Sequence, residues 1–367
     1  MSRPDVIVSC ATAPVGRGGL SQHFAQMIRE GRDAGASVHY LATETAPLDG
    51  VTGESIALAH TRTINTFTPV RFSRALKDHV ANERFDRAAA ARLEHGPTRL
   101  VGFVGKALRT FAVARAQGTE VLEVMAANSH VDNVRARHAE ALARYPFDQS
   151  WLSDFQRRKT LKEYDTADVV IAASPYTRDT FLERGFRESQ VRLVAMTTLP
   201  RYVPPDTRPD DGVFRLVFVG SASVLKGVPV LVEAFQRLGI DAAELTIVGG
   251  PATRGMRKYL DEAVARDPRI QVRPGDPLPH LQRADVCVHP SFEDGHAYAP
   301  MEALACGAPV VVSADTGMKQ HVVEGVNGYV APTGDVDALV DRLRHLHQHP
   351  LAATHRLDTV SEATPSP

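Results

Sequence analysis

The chain has 367 residues, with 42 Lys and Arg against 43 Asp and Glu and a formal net charge of -1. At roughly 100–200 residues per domain, that length suggests two domains. A hydrophobic content of 43% supplies core material and excludes a disordered chain. The balanced charge excludes a whole-protein footprint for DNA or RNA.

Val6–Cys10 reads as an apolar strand, followed by Gly16-Arg17-Gly18-Gly19 and a helical pattern from Leu20 to Asp33. Val38–Ala42, Leu100–Val104, Val121–Ala126 and Val169–Ala173 read as further buried strands between helical segments. Apolar strands alternating with helices predict a parallel sheet covered on both faces. The pattern breaks at residues 197–212, which hold Pro200, Pro204, Pro205 and Pro209 and no periodic apolar face. That stretch reads as a linker. Alternation then restarts with Leu216–Val219, a helix over Val228–Leu238, and strands at Leu245–Val248, Ile270–Val272, Val286–His289 and Val310–Ser313. Val336–Gln348 reads as a last helix before a tail containing Ser, Thr and Pro.

The expected organisation is therefore a Rossmann-like domain over 1–196, a linker over 197–212, a second Rossmann-like domain over 213–348 and a short tail over 349–367. Both domains are α/β and doubly wound on parallel sheets. Two such domains would face each other across a cleft at the carboxyl ends of their strands, where ligands bind in these folds.

Cys10, Cys287 and Cys306 stand far apart in apolar surroundings, without a CxxC pair or zinc-type spacing. A reducing compartment suits them. No apolar run reaches the ~18 residues that span a bilayer. The stretch Met1–Asp5 leads into an apolar run too short for a signal peptide. A soluble cytoplasmic protein is expected.

The most informative stretch runs from Val286 to Val311. Strand Val286–His289 ends at Pro290-Ser291, followed by Phe292-Glu293-Asp294-Gly295-His296-Ala297-Tyr298-Ala299. Pro300 suits a first helical position, Met301-Glu302-Ala303-Leu304-Ala305-Cys306 continues the helix, and Gly307 suits its stop before Ala308-Pro309-Val310-Val311. On its own, the acidic pair reads equally well as a solvated loop and a helix cap.

Taken together, the stretch resembles the signature of the retaining glycosyltransferases of family 4, whose fold is called GT-B. In that family, Pro-Ser is followed by Glu, seven residues, a second Glu and Gly-x-Pro-Val-Val. Glu302 matches the second acid. Asp294 matches the first by spacing, one methylene shorter than the family's Glu, and Glu293 stands one position early. His296-Ala297 stand where Phe-Gly is frequent. The resemblance runs over about residues 214–340 and more weakly through the first half.

It implies that Glu302 holds a ribose diol and Asp294 the donor-sugar hydroxyls, since a carboxylate accepts from two adjacent hydroxyls. Backbone amides of Gly295, His296, Ala297 and Tyr298, opening a helix, would donate to sugar and diphosphate. Phe218-Val219-Gly220-Ser221-Ala222-Ser223-Val224-Leu225-Lys226-Gly227 resembles the family's Val-Gly-Arg…Lys-Gly segment. Lys226 matches the Lys, and Ser221 stands where Arg is common. A fixed ammonium there would stabilise charge growing on the leaving phosphate; alone, Lys226 reads as a surface lysine opening a helix. Gly18 and Gly19 would bring amides to the phosphates. The alternative nicotinamide template Gly-x-Gly-x-x-Gly fails at Ser21, and Glu44 lies beyond the usual ~20-residue interval.

His130, after Val124-Met125-Ala126-Ala127-Asn128-Ser129, is the candidate for a family histidine facing the donor sugar, against the plainer reading of a core histidine. The resemblance further implies a hexosyltransferase-type enzyme without a resident cofactor or metal, as no Asp-x-Asp occurs near the expected cleft. Its partners would be a nucleotide sugar and a hydroxyl-bearing acceptor (glycan, lipid-linked or small molecule), with no nucleic acid. Residues 60–99 hold eight Arg or Lys against four Asp or Glu. They read most simply as a solvated helix face, and otherwise as a surface for a phosphorylated acceptor or for anionic lipid, the latter giving peripheral contact at the inner membrane face.

Relatives usually carry a longer C-terminal segment. The short tail, Ser221 and the shortened acid leave a second reading, a degenerate nucleotide-sugar-binding protein. A nicotinamide-dependent oxidoreductase is the third.

Overall fold

The computed structural model describes residues 4–14, 18–58 and 67–351. Gly16 and Arg17 of the glycine-rich loop, the start of the basic 60–99 stretch and the tail beyond residue 351 lie outside the described residues.

The chain divides into two compact units, Met1–Arg135 with Gln149–Met196, and Ala136–Asp148 with Thr197–Pro367. The first is built on β1 (Val6–Ser9), β2 (Val38–Ala42), β3 (Val51–Ser55), β4 (Arg99–Phe103), β5 (Val121–Ala126), β6 (Val169–Ala172) and β7 (Val191–Leu193). These pair in parallel in the order β3-β2-β1-β4-β5-β6-β7. Its helices are α1 (Gly19–Asp33), α2 (Arg74–Ala90), α3 (Leu108–Ala116), α4 (Val131–Arg144), α5 (Asp154–Thr166) and α6 (Pro175–Leu182), with only the start of α4 counted here. Serine side chains set several helix starts: Ser73, Ser153 and Ser174 accept from the amides of Leu76, Gln156 and Thr177. One apolar core, including Ile7, Leu100, Leu122, Phe85, Phe111 and Phe181, joins sheet to helices.

The second unit carries β8 (Phe214–Val219), β9 (Ala243–Val248), β10 (Ile270–Val272), β11 (Val286–His289), β12 (Val310–Ser313) and β13 (Gly328–Ala331). They too are parallel, in the order β10-β9-β8-β11-β12-β13. Its remaining helices are α7 (Val228–Arg237), α8 (Arg254–Arg266), α9 (Leu278–Arg283), α10 (Tyr298–Ala305) and α11 (Val336–Gln348). α10 begins two residues before Pro300, which therefore sits within the first turn, where an amide proton has no partner to reach. Gly307 follows the helix at φ 76°.

In both sheets the strand order reverses beside the first strand of the unit. The chain turns outward in opposite directions from β1 and β4, and again from β8 and β11. Such switch points leave room for a ligand beyond the carboxyl ends of the two neighbouring strands.

Two boundaries differ from the expected ones. Residues 136–148 pack with the second unit, so the division falls inside α4. The proline-rich stretch also belongs to the second unit and is held there by side chains. Arg208 donates to the carbonyls of Ala284 and Cys306, Gln282 donates to the Val203 carbonyl, and Arg201 pairs with Asp276. Proline content shows that a segment is irregular; the arginines within it decide that it is anchored.

Candidate functional site

The switch point of the second sheet gathers most of the expected site residues. β8 ends at Val219, and the loop 220–227 leads into α7. Gly220 (φ 143°) lets the chain leave the strand beside Gly249, and its amide donates to the Val248 carbonyl at 3.0 Å. Ser221 is exposed, while Ala222 to Leu225 are buried. Gly227 stands at φ 70°, and a Cβ there would lie 1.8 Å from the Pro290 carbonyl oxygen. Only glycine permits both that backbone conformation and that approach. The loop after β8 is thereby pressed onto the loop after β11.

The contact brings Lys226 and Asp294 together. Lys226 Nζ lies 2.5 Å from Asp294 Oδ2, and His289 Nε2 lies 3.0 Å from the same oxygen. Asp294 is 7% exposed. Its loop is fixed by the main chain: the Asp294 amide donates to the Asp315 carbonyl, and the Gly317 amide donates to the Asp294 carbonyl. Burial pushes the Asp294 carboxyl up, but the Lys226 ammonium and the His289 hydrogen bond outweigh it and hold the carboxyl well below the usual carboxylate range. Burial also lowers His289 against the pull of Asp294. A neutral His289 facing a carboxylate must carry its proton on Nε2. Its ring stacks on Phe218 at a centroid distance of 6.1 Å, which holds that orientation.

Glu302 sits on α10, 4% exposed. It faces Tyr202 of the proline-rich stretch, and burial together with the Glu302 carboxylate pushes the Tyr202 phenol up to about 12. Burial and Glu302 likewise push Cys306 up to about 11 and Cys287 further still. Cys287 and His289 are two apart on β11 and so share a face. Glu293 is buried next to Asp294, and its carbonyl accepts from Ser291 Oγ at 2.8 Å. Gly295, His296, Ala297 and Tyr298 are buried as they lead into α10, with the His296 ring edge-on to both Tyr298 and His321.

The candidates of the first unit are placed by that unit alone. Gly18 (φ 148°) and Gly19 are exposed at the start of α1, with open space beside Gly18. His130 is 3% exposed and lies among Tyr164, Phe181 and Phe186, at centroid distances of 5.1, 5.1 and 6.2 Å. Its Nδ1 accepts from the Asp132 amide at 3.2 Å, and its own amide donates to Thr180 Oγ1 at 2.9 Å. Burial pushes this imidazole down to about 4, so it is neutral at pH 7. Those contacts are of the kind a core histidine makes.

At the start of α3 the helix amides already have carboxylate partners. Ala107 and Leu108 donate to Glu163 Oε1 at 2.8 and 3.1 Å, and the Gly105 amide also reaches Glu163. The amides of Arg109 and Thr110 donate to Asp86, which pairs with Lys159 at 2.7 Å. A helix start filled in this way has no amides left for an external anion.

Sequence reasoning missed His289, Tyr202 and Asp148. His289 stood inside the informative stretch but read as a strand residue. Tyr202 stood in a segment read as linker. Nothing in the sequence marks Asp148.

Residues 213–349 match the family model "Glycosyl transferases group 1". The D-inositol 3-phosphate glycosyltransferase of Kribbella flavida is 31% identical over 151 residues, covering 37% of this chain and 35% of that protein. The chain spans about a third of the length of the curated relatives it matches. Among solved structures, the sucrose-phosphate synthase of Thermosynechococcus elongatus superposes with a TM-score of 0.72 at 20% identity, over 94% of this chain and 90% of the other. Anabaena Alr3699/HepE, solved in complex with UDP and glucose, superposes with a TM-score of 0.66 at 14% identity, over 97% and 94%.

Proposed function

We propose that this chain, whose residues 213–349 form a group 1 glycosyltransferase domain on a GT-B fold, moves a sugar from a nucleotide-diphosphate sugar to a hydroxyl acceptor with retention of configuration. The observation that carries the reading is the meeting of Lys226, Asp294 and His289 at the switch point of the second sheet. The D-inositol 3-phosphate glycosyltransferases among the curated relatives, and the UDP and glucose in the Anabaena complex, support the donor and reaction class. Neither a nicotinamide-dependent oxidoreductase nor a pure binding protein is favoured by these likenesses.

In this reading the diphosphate lies against loop 220–227 and the start of α10, with Lys226 and backbone amides as donors. Asp294 already neutralises Lys226, so the site carries little net positive charge before the donor arrives. Much of the stabilisation of the leaving phosphate then falls to oriented amides, and the exposed Ser221 adds a hydroxyl in place of a second cation. Asp294, kept ionised and oriented by His289, accepts from the donor-sugar hydroxyls. Glu302 exchanges its Tyr202 contact for the ribose diol. The acceptor hydroxyl attacks on the face from which the phosphate leaves, and a phosphate oxygen takes its proton. This route needs no enzyme nucleophile and no metal.

No described helix is long and apolar enough to cross a membrane. We assign the protein to the cytoplasm, with peripheral contact at the inner membrane face. The exposed Phe67, Phe72 and Phe155 support that contact, since the guanidinium groups of Arg71 and Arg158 lie over the rings of Phe72 and Phe155.

The test is a panel of UDP-, GDP- and ADP-sugars scored by thermal stabilisation, then by donor hydrolysis and transfer. One donor should raise the melting midpoint and be turned over, and Glu302→Ala and Lys226→Ala should sharply reduce turnover. Stabilisation without hydrolysis or transfer would favour the binding protein, and no stabilisation by any donor would end the reading.

A further inference from the structure

Residues 136–148 lie within the second unit although they precede its first strand by more than sixty positions in sequence. The segment ends at Asp148, which is 7% exposed. Its carboxylate is shared between two loops: the Val224 amide donates to Oδ2 at 2.8 Å, and Thr253 Oγ1 lies 2.6 Å from Oδ1. Val224 is in the middle of loop 220–227, two residues before Lys226. Thr253 caps α8 by accepting from the Met256 amide at 3.1 Å. One side chain thus ties the loop after β8 to the loop after β9.

The rest of the segment is seated with equal closeness. A Cβ on Gly255 would lie 1.7 Å from the Phe147 carbonyl oxygen, and the Phe147 ring stacks on Tyr259 at 4.9 Å. Arg144 donates to the Gly334 carbonyl, beside Phe292, and lies 3.6 Å from Glu233. Arg137 lies 3.5 Å from Asp315, whose carbonyl holds the Asp294 amide.

A buried acid beside a loop meant to receive a diphosphate opposes the ligand's charge unless its oxygens serve another purpose. Here both oxygens are engaged, one on the loop's own backbone. We propose that Asp148 is a positioning residue, which sets the loop 220–227 in the conformation that presents Ser221, Lys226 and the loop amides to a nucleoside diphosphate. The proposal rests on the donor-site reading above. It assigns the precision of the phosphate end to a side chain outside the matched region 213–349. A carboxylate suits the task because it accepts in two directions at once, which serine cannot do with comparable strength.

The test compares the full chain with its Asp148→Ala and Asp148→Asn variants by hydrogen exchange of the amides in 221–227 and by calorimetric titration with UDP, GDP and ADP. Asp148→Ala loses both acceptors. Exchange across 221–227 should quicken about tenfold, with β8, β11 and β12 unchanged, and the dissociation constant of the nucleotide bound best by the wild type should rise by about the same factor. Asparagine keeps one acceptor, so roughly a threefold change is expected in each. Should the alanine variant fail to fold, the asparagine variant decides alone, and wild-type values in it would overturn the proposal. Uniformly faster exchange through the second unit would overturn it too, because that marks a merely structural residue, as would quickened exchange with nucleotide affinity unchanged. If the wild type binds none of the three nucleotides while exchange in 221–227 still rises locally, the donor-site reading falls and the placement of the loop by Asp148 stands.

Discussion

Replacing either member of the Lys226–Asp294 pair should destabilise the chain unequally. Asp294 is buried and gives one oxygen to two donors, at 2.5 and 3.0 Å, whereas the Lys226 side chain is 31% exposed. In Asp294→Asn the amide oxygen still accepts from His289, and Lys226 can turn toward water, so the loss should be about 1 kcal/mol, near that of one partly solvated charge-assisted bond. In Lys226→Met the carboxylate keeps only a neutral histidine while still buried, and a loss of about 2–3 kcal/mol is expected. The double variant should recover part of this, with a coupling of about 1–2 kcal/mol after allowance for Lys226's exposure. Urea unfolding of the four proteins at pH 7, followed by circular dichroism, measures the cycle. Asp294 is held below its unfolded value, so its contribution is full above about pH 4 and is lost as the pH falls further. Repeating the cycle at pH 3 should therefore shrink the coupling. A coupling below about 0.3 kcal/mol at pH 7, or a larger loss in Asp294→Asn than in Lys226→Met, would refute the account of the pair.

Gly227→Ala combines an unfavourable φ of 70° with a Cβ 1.8 Å from a backbone oxygen. It should cost at least about 2–3 kcal/mol, and a melting loss equivalent to under about 1 kcal/mol would show that the two loops are not pressed together. Burial raises Glu163 to about 7. A carboxyl raised on folding stabilises most below its unfolded value, and that contribution is lost as the pH climbs from the unfolded value to the folded one, so thermal stability should decline between about pH 4.5 and 7 and level off above. Glu163→Gln should flatten that decline, and an unaltered pH profile would contradict it. Phe72→Ser with Phe155→Ser should weaken sedimentation with phosphatidylglycerol vesicles severalfold without lowering the melting midpoint, and unchanged binding would remove these rings from any lipid contact.

Much of the architecture was legible because parallel strands buried on both faces are written as apolar runs. Val38–Ala42, Val121–Ala126, Ile270–Val272, Val286–His289 and Val310–Ser313 have the same limits in sequence and structure. β3 was missed because Val51–Ser55 lies at a sheet edge and carries Gly53 and Glu54 in place of an apolar face. β7 spans only three residues, and β13 opens with Gly328, whose bare Cα is required where a Cβ would meet the Val310 carbonyl oxygen at 2.1 Å. In the site, Asp294, Glu302 and the Lys226-Gly227 dipeptide stand out in the sequence only through their resemblance to a family signature, since their spacing alone reads equally well as a loop, a helix cap and a surface lysine. His289, Tyr202 and Asp148 do not stand out, since their partners are 5, 100 and 76 positions away and are chosen by the sheet order and by irregular chain. The assignment of 136–148 was hidden for a related reason: a helical pattern records which face is apolar and says nothing of which sheet that face will cover.

The placement of residues 136–148 bears on how the molecule can be cut. A fragment starting at Thr197 would contain every strand of the second sheet yet lack Arg144, Phe147 and Asp148. It would bare the ring of Tyr259, leave Thr253 and Val224 to find water, and open a slot above Gly255. Such a fragment should be poorly soluble by itself and should recover its ordered state when a synthetic peptide covering 131–148 is supplied in trans. Heredity would then treat the second half as two stretches of chain that must travel together, and any natural shuffling at the residue 196 junction would carry a hidden debt to the first half.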